Sequence, residues 1–222
     1  SDASYLENQD MLMANGIFRD VYLLHTKNVS VFDFRVLSDN KGFDITVDLW
    51  EESSEFEVEI SLDGKKSFFE AKKHIEARFD IENPKFWSDE EPNCYDLYIT
   101  VKKDGVPCEV HSKKIGIISS CIREGQLLVN GKPIYIKGIN RHEYDCDNGR
   151  AISVELIEKE LKLIKANNIN AIRCSHYTNN PAFYEICTEI GLMVMDECDM
   201  ETHGVRRKNV PGDNPMWTNA VV

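Results

Sequence analysis

Asn170-Ala-Ile-Arg-Cys-Ser-His-Tyr-Thr-Asn-Asn-Pro-Ala-Phe-Tyr-Glu-Ile-Cys-Thr-Glu-Ile-Gly-Leu-Met-Val-Met195 is the stretch whose reading decides the fold. Ala171 to Cys174 is a short, mostly apolar strand. Asn180-Pro181 supplies a helix N-cap and a first-turn proline, and Gly191 supplies the stop. Between them Phe183, Ile186, Cys187 and Ile190 recur at helical spacing and form one apolar face. Leu192 to Met195 is an apolar run of the buried-strand type. A strand, a helix and a strand joined by short links means that the two strands run parallel.

Working backwards, the same pattern occurs once more. Leu127 to Ile134 reads as a small hairpin turning at Asn130-Gly131, and Tyr135 to Ile139 reads as a strand. Ser153 is placed as an N-cap, and Ile157, Leu161 and Ile164 follow on one helical face until Asn167-Asn168. The order is therefore β-α-β-α-β. After Met195 the chain becomes polar and rich in Gly and Pro, with no clear helix. Parallel sheets are covered on both faces, so three such strands are expected to open a larger (β/α)8 barrel. Further upstream the period changes to two. Val29–Val36, Phe43–Trp50, Phe56–Leu62, Ile75–Ile81 and Tyr95–Val101 alternate or are β-rich, with turn signals at Asp63-Gly64 and Asp104-Gly105. Residues 25–118 are thus expected to form an antiparallel, immunoglobulin-like β-sandwich, and the fold class is a β-sandwich followed by the first part of a barrel.

Composition bounds the function. The 222 residues carry a net charge of −12, with more of the acid in the first half and no basic stripe. That argues against nucleic acid and against anionic membrane surfaces as partners. No apolar run approaches the roughly 18–20 residues of a membrane span, and Ser1 to Asp10 has no signal-peptide pattern. Seven cysteines, an odd number without a C-x-x-C pair, fit reduced thiols in a cytoplasmic protein better than a disulfide scaffold or a zinc cluster.

Each expected parallel strand ends in polar residues: Asn140, Arg141, His142 and Glu143; Arg173, Ser175, His176 and Tyr177; Asp196, Glu197, Asp199, Glu201 and His203. The C-terminal strand ends of a β/α barrel open on one face, where its chemistry sits. A lone histidine is more often a satisfied structural group; three clusters in succession point to a site. Glu201 and His203, two apart in an extended segment, put one carboxylate and one imidazole on the same side. Such a pair can bind a divalent cation, although a hydrogen-bonded surface pair is the simpler reading.

These residues resemble glycoside hydrolase family 2, and its β-galactosidases in particular. Asn170 to Tyr177 running on to Gly191–Met195 is similar to the family signature. Gly138-Ile-Asn-Arg-His-Glu143 is similar to its first barrel strand end, and Asp196-Glu-Cys-Asp-Met-Glu-Thr-His-Gly204 to the segment with magnesium ligands. Ser4-Tyr-Leu-Glu-Asn-Gln-Asp-Met11 and Gly16-Ile-Phe-Arg-Asp-Val21 resemble the exit from the family's sugar-binding jelly roll. The resemblance implies three parts: residues 1–24 as the end of a jelly roll, 25–118 as the sandwich and 119–222 as the start of the catalytic barrel.

The resemblance also implies roles. His142 and His176 match transition-state-stabilising histidines, and Asp2 and Arg173 match substrate-binding residues. Glu201 and His203 match magnesium ligands, and Asp2 also matches a sodium ligand. The implied substrate is a β-galactoside, and the implied parent enzyme is a homo-oligomer. Thr178 stands where the family has proline, Thr188 where it has an acid or amide, and Ala3 where it has glycine. A retaining glycosidase uses two carboxylic acids about 5–5.5 Å apart, and neither family glutamate motif occurs in this chain. The expectation is a fragment, inactive alone. The alternatives are a relative acting on another sugar, such as a β-glucuronidase, and a non-catalytic immunoglobulin-like interaction module.

Overall fold

The computed structural model describes residues 16–198 and Pro215. The chain forms two compact units. One is built from residues 22–135 with 188–191, the other from the chain on either side of it.

In the first unit, strands β1 (Val31–Asp39), β2 (Gly42–Leu49), β3 (Ser53–Leu62), β4 (Lys65–Ala71), β5 (His74–Asp80), β6 (Tyr95–Lys103) and β7 (Val106–Ile115) make two antiparallel sheets. Their orders are β1-β2-β5 and β4-β3-β6-β7. The alternation read in the sequence is the reason. In β5, Ile75, Ala77 and Phe79 are buried while their neighbours are exposed, and in β2 Phe43, Ile45, Val47 and Leu49 face inward. These side chains meet Val58, Ile60, Leu62, Leu97, Ile99 and Val101 in one core.

Two strands of these sheets escaped the periodic reading. β4 carries Lys-Lys-Ser-Phe-Phe-Glu-Ala, whose alternation is weak because it lies at a sheet edge. β7, the other edge, is largely exposed and contains Pro107 at a register shift opposite Lys102. Proline is tolerated there because it interrupts no two-sided ladder. On the outer face Glu59 is buried and ion-paired with Lys66 and Lys102. The hydrogen bond from Lys102, then that from Lys66, holds its carboxyl below the usual range despite burial.

The hairpin expected at Asn130-Gly131 is present between β9 (Gln126–Val129) and β10 (Lys132–Pro133), and β8 (Ser120–Arg123) pairs on the other side. Asn130 and Gly131 both have positive φ, as a two-residue hairpin turn requires.

In the second unit β11 (Gly138–Arg141), α1 (Val154–Ala166), β12 (Ala171–Cys174), α2 (Pro181–Ile190) and β13 (Met193–Met195) follow in that order. The sheet is parallel, ordered β11-β12-β13. β11 begins at Gly138 rather than at Tyr135. Tyr135 and Ile136 are exposed, and the ladder starts where Gly138 pairs with Ala171. Ser153 caps α1, its Oγ accepting from the Leu156 amide at 3.2 Å. Asn180 Oδ1 accepts from the Ala182 amide at 3.0 Å at the start of α2. Ile157 and Leu161 of α1, Phe183 and Cys187 of α2, and Ile172 and Cys174 of β12 are buried. No described helix is long and apolar enough to cross a membrane.

Ile60 pairs with Ile99 across β3 and β6 at the centre of the sandwich core and is fully buried. Ile60→Ala should destabilise the sandwich by about 2–5 kcal/mol and Ile60→Val by about 0.5–1.5 kcal/mol. Urea denaturation of the chain, followed by the sandwich tryptophans, reads both values.

Candidate active site

Parallel strands set the geometry. Asn140, Arg173 and Met195 share one row across β11, β12 and β13. Successive side chains on a strand point to opposite faces, and the burial of the first strand end follows that rule. Asn140 and His142 are exposed, whereas Arg141 and Glu143 are buried. The polar cluster read as one group in the sequence therefore divides into two.

The open face brings together His142, His176, Arg173, Asn140 and Glu197. The rings of His142 and His176 lie edge to face with centroids 5.8 Å apart. Arg173 Nε donates to Glu197 Oε1, and Arg173 Nη1 approaches Asn140 Oδ1 at 3.5 Å. His176 Nδ1 sits 2.9 Å from Glu197 Oε2 and 3.1 Å from Arg173 Nη2. These two contacts compete for one nitrogen. If Nδ1 accepts from Arg173, the ring proton is on Nε2, which is then a donor. If Nδ1 donates to Glu197, Nε2 of a neutral ring is an acceptor. Arg173 and Glu197 thus control which hydrogen-bonding role His176 can play. The Ser175–His176 peptide is cis. Burial, the largest single influence on Glu197, pushes its carboxyl up; the hydrogen bonds from His176 and Arg173 outweigh it, and the group titrates below the usual range.

The buried face is a scaffold. Arg141 Nη1 donates to Asn179 Oδ1 at 2.5 Å and Nη2 to Glu160 Oε2 of α1 at 2.8 Å, while its guanidinium lies 5.1 Å from the Phe183 ring centroid. The Glu143 carboxylate accepts from the Asn180 amide at 3.0 and 3.2 Å and forms an ion pair with Arg19. The Glu143 amide donates to Tyr177 Oη at 3.0 Å. Burial pushes the Cys174 and Cys187 thiols up to about 12, so neither is a thiolate nucleophile at neutral pH.

Of the residues assigned from sequence, His142, His176 and Arg173 are thus brought together. Asp2, Glu201 and His203 lie outside the described residues. Among the described residues one acidic cluster has metal-ligand spacing, Asp145, Cys146 and Asp147 in the loop after β11. Asp145 Oδ1 accepts from the Asp147 and Asn148 amides, so its geometry is that of a turn. Glu197 was noted in the sequence only as one acid among several. Its role emerges from its contacts. The parity of Asn140 to Glu143 along a strand was the available signal for separating Arg141 and Glu143 from His142.

Two family models cover most of the chain. That described as "Glycosyl hydrolases family 2" matches residues 22–117, and that described as "Glycosyl hydrolases family 2, TIM barrel domain" matches residues 121–222. The chain belongs to glycoside hydrolase family 2. Solved structures with the same fold include β-glucuronidase 3 of Bacteroides uniformis, with 22% identity and a TM-score of 0.71, matched over 79% of this chain and 24% of that one. A β-glycosidase of Bacteroides vulgatus has 27% identity and a TM-score of 0.63, over 75% of this chain and 23% of that one. The β-glucuronidase of Dictyoglomus thermophilum has 24% identity and a TM-score of 0.65, over 78% and 30%. The chain therefore spans between a quarter and a third of the length of these relatives, or slightly less.

The lowered Glu197 carboxyl gives a pH prediction. Its folded pKa lies below its unfolded one, so its contribution is present above the unfolded value of about 4.3 and is lost as pH falls through the folded value. Glu197→Gln removes that dependence. The stability difference between the wild type and Glu197→Gln should shrink as pH is lowered from 6 toward 3, which urea titrations at each pH will show.

Proposed function

We propose that this chain is the substrate-positioning part of a retaining β-galactosidase that hydrolyses terminal β-galactosyl groups. The acid/base and nucleophile carboxylates would come from polypeptide beyond these 222 residues. The family assignment and the short span of the chain against its relatives support this. The observation that carries the reading is the pairing of His142 and His176 at neighbouring parallel strand ends, with His176 held by Glu197 and Arg173. Two imidazoles at that separation can hydrogen-bond different hydroxyls of one sugar ring. They assist catalysis to the extent that those bonds tighten as the ring flattens toward an oxocarbenium-like state. Magnesium at Glu201 and His203 and sodium at Asp2 belong to the proposal on the strength of the sequence resemblance.

A second reading, β-glucuronidase, is favoured by what two of the similar structures are called. A glucuronide differs by a carboxylate, which needs a cation. The guanidinium groups of Arg19, Arg141 and Arg173 each already face a carboxylate, from Glu143, Glu160 and Glu197, and that of Arg150 lies against the Phe18 and Tyr177 rings. That supports a neutral sugar over an anionic one.

The test is a titration of the chain with isopropyl β-thiogalactoside and with a phenyl β-thioglucuronide, following the imidazole resonances of His142 and His176. The galactoside should bind more tightly by about 10–100-fold, the effect of about 1.4–3 kcal/mol for a charge left unpaired. The chain alone should show no turnover of nitrophenyl β-galactoside. Preference for the glucuronide would establish the second reading, and binding of neither sugar would remove the first.

A further inference from the structure

We propose that Arg19 and Phe18, in the segment that precedes the sandwich, are positioning residues that fix the spacing of the His142 and His176 rings. The proposal rests on the reading of those histidines as sugar-binding groups, and it adds a part of the chain more than a hundred residues away in sequence.

Arg19 joins the two strand ends that carry the histidines. Its Nη2 donates to Glu143 Oε2 at 3.0 Å, and Glu143 directly follows His142. The same nitrogen donates to the Thr178 carbonyl at 3.0 Å, and Nη1 donates to the Asn179 carbonyl at 3.2 Å; both carbonyls lie just beyond His176. The planar guanidinium fork suits this task, because its donors diverge at fixed angles toward a carboxylate on one side and two consecutive carbonyls on the other. An ammonium is a single point of charge and cannot hold all three in that plane.

Phe18 acts on the same loops by stacking. Its ring lies 4.1 Å from the Arg150 guanidinium carbon, and that carbon lies 4.6 Å from the Tyr177 ring centroid. Arg150 is thus held between two rings, an arrangement that favours a cation on electrostatic grounds. Tyr177 in turn lies 6.1 Å from the His142 ring, which lies 5.8 Å from His176. A column of contacts, Phe18, Arg150, Tyr177, His142 and His176, runs from the early segment to the open face. Arg19 and Phe18 occupy consecutive positions, the Arg19 guanidinium carbon 5.5 Å from the Phe18 ring centroid, and reach the two histidine loops in two ways, one by hydrogen bonds and one by stacking. Every group in this arrangement belongs to the second unit.

The consequence is that the imidazole pair depends on the chain before the sandwich as well as on the barrel strands. Without Arg19 the Glu143 carboxylate loses its shortest cationic contact, because Arg141 Nη1 stands at 3.6 Å. The Thr178 and Asn179 carbonyls lose their guanidinium donor at the same time, and the two loops are no longer tied through one group.

The experiment compares imidazole carbon–proton spectra of the whole chain as wild type, Arg19→Gln, Arg19→Lys and Phe18→Leu, with peaks assigned through single histidine variants. Both Arg19 variants should shift and broaden the His142 and His176 signals and leave those of His74 and His111 in the sandwich unmoved. Arg19→Lys should fail to restore the wild-type positions. Phe18→Leu, which keeps Arg19, should move His142 more than His176. Methyl signals of Leu161 and Ile172 report whether the second unit stays folded; if an Arg19 variant unfolds it, the Phe18→Leu result decides. Unmoved His142 and His176 signals in a folded Arg19→Gln chain, or wild-type positions in Arg19→Lys, would overturn the proposal. Titration of each variant with isopropyl β-thiogalactoside separates the two claims. Moved signals in the variants together with no sugar binding by the wild type would sustain the positioning role and remove the galactoside reading. Sugar binding by the wild type with unmoved signals in the variants would do the reverse.

Discussion

The Glu143 carboxylate is 3% exposed, and that constraint organises the second unit. A charged carboxylate without water must be paired and hydrogen-bonded, or it destabilises the fold by several kcal/mol. Its partners come from three places. The Asn180 amide stands at the start of α2, Arg141 stands two residues earlier on β11, and Arg19 comes from the chain before the sandwich. Satisfying one buried charge therefore joins the first strand end, the second helix and the early segment. Arg141 extends the network to Asn179 and to Glu160 of α1. Asn179 closes it, with its side-chain amide on the Tyr177 carbonyl and its backbone amide on Tyr184 Oη.

The same strands do two kinds of work because alternate residues face opposite ways. On the covered face, charges are consumed by one another and serve as scaffold. On the open face, Asn140, His142, Arg173 and His176 sit with Glu197, and here one nitrogen, His176 Nδ1, is within reach of both Arg173 and Glu197.

Much of the architecture could be read from residues alone. The period-two runs located the sandwich core, and Ser153, Asn180-Pro181 and Gly191 bounded the two helices, because capping and turn chemistry is local. Edge strands were hard to read. β4 and β7 bury one side weakly, so their alternation fades, and Pro107 argues against a strand until its edge position is known. The strand end of β12 was legible as polar but not as divided in purpose. Tyr177 and Arg173 differ by burial and by contact, which spacing does not encode. Arg19 was legible only as part of the Gly16–Val21 motif and its contacts were hidden, since its partners lie more than 120 residues away in sequence. The residues assigned to metal, Asp2, Glu201 and His203, lie outside the described part of the chain.

The central claim is that the buried Glu143 network sets the geometry of the open histidine pair. Glu143→Ala tests it most directly. Removing one member of a buried ion pair should cost about 3–5 kcal/mol, and the loss should fall on the second unit while the sandwich keeps its urea midpoint. In the part of the population that remains folded, nuclear Overhauser contacts between the His142 and His176 rings should weaken or vanish. A Glu143→Ala chain with unchanged stability of the second unit and an unchanged His142–His176 contact would contradict the account.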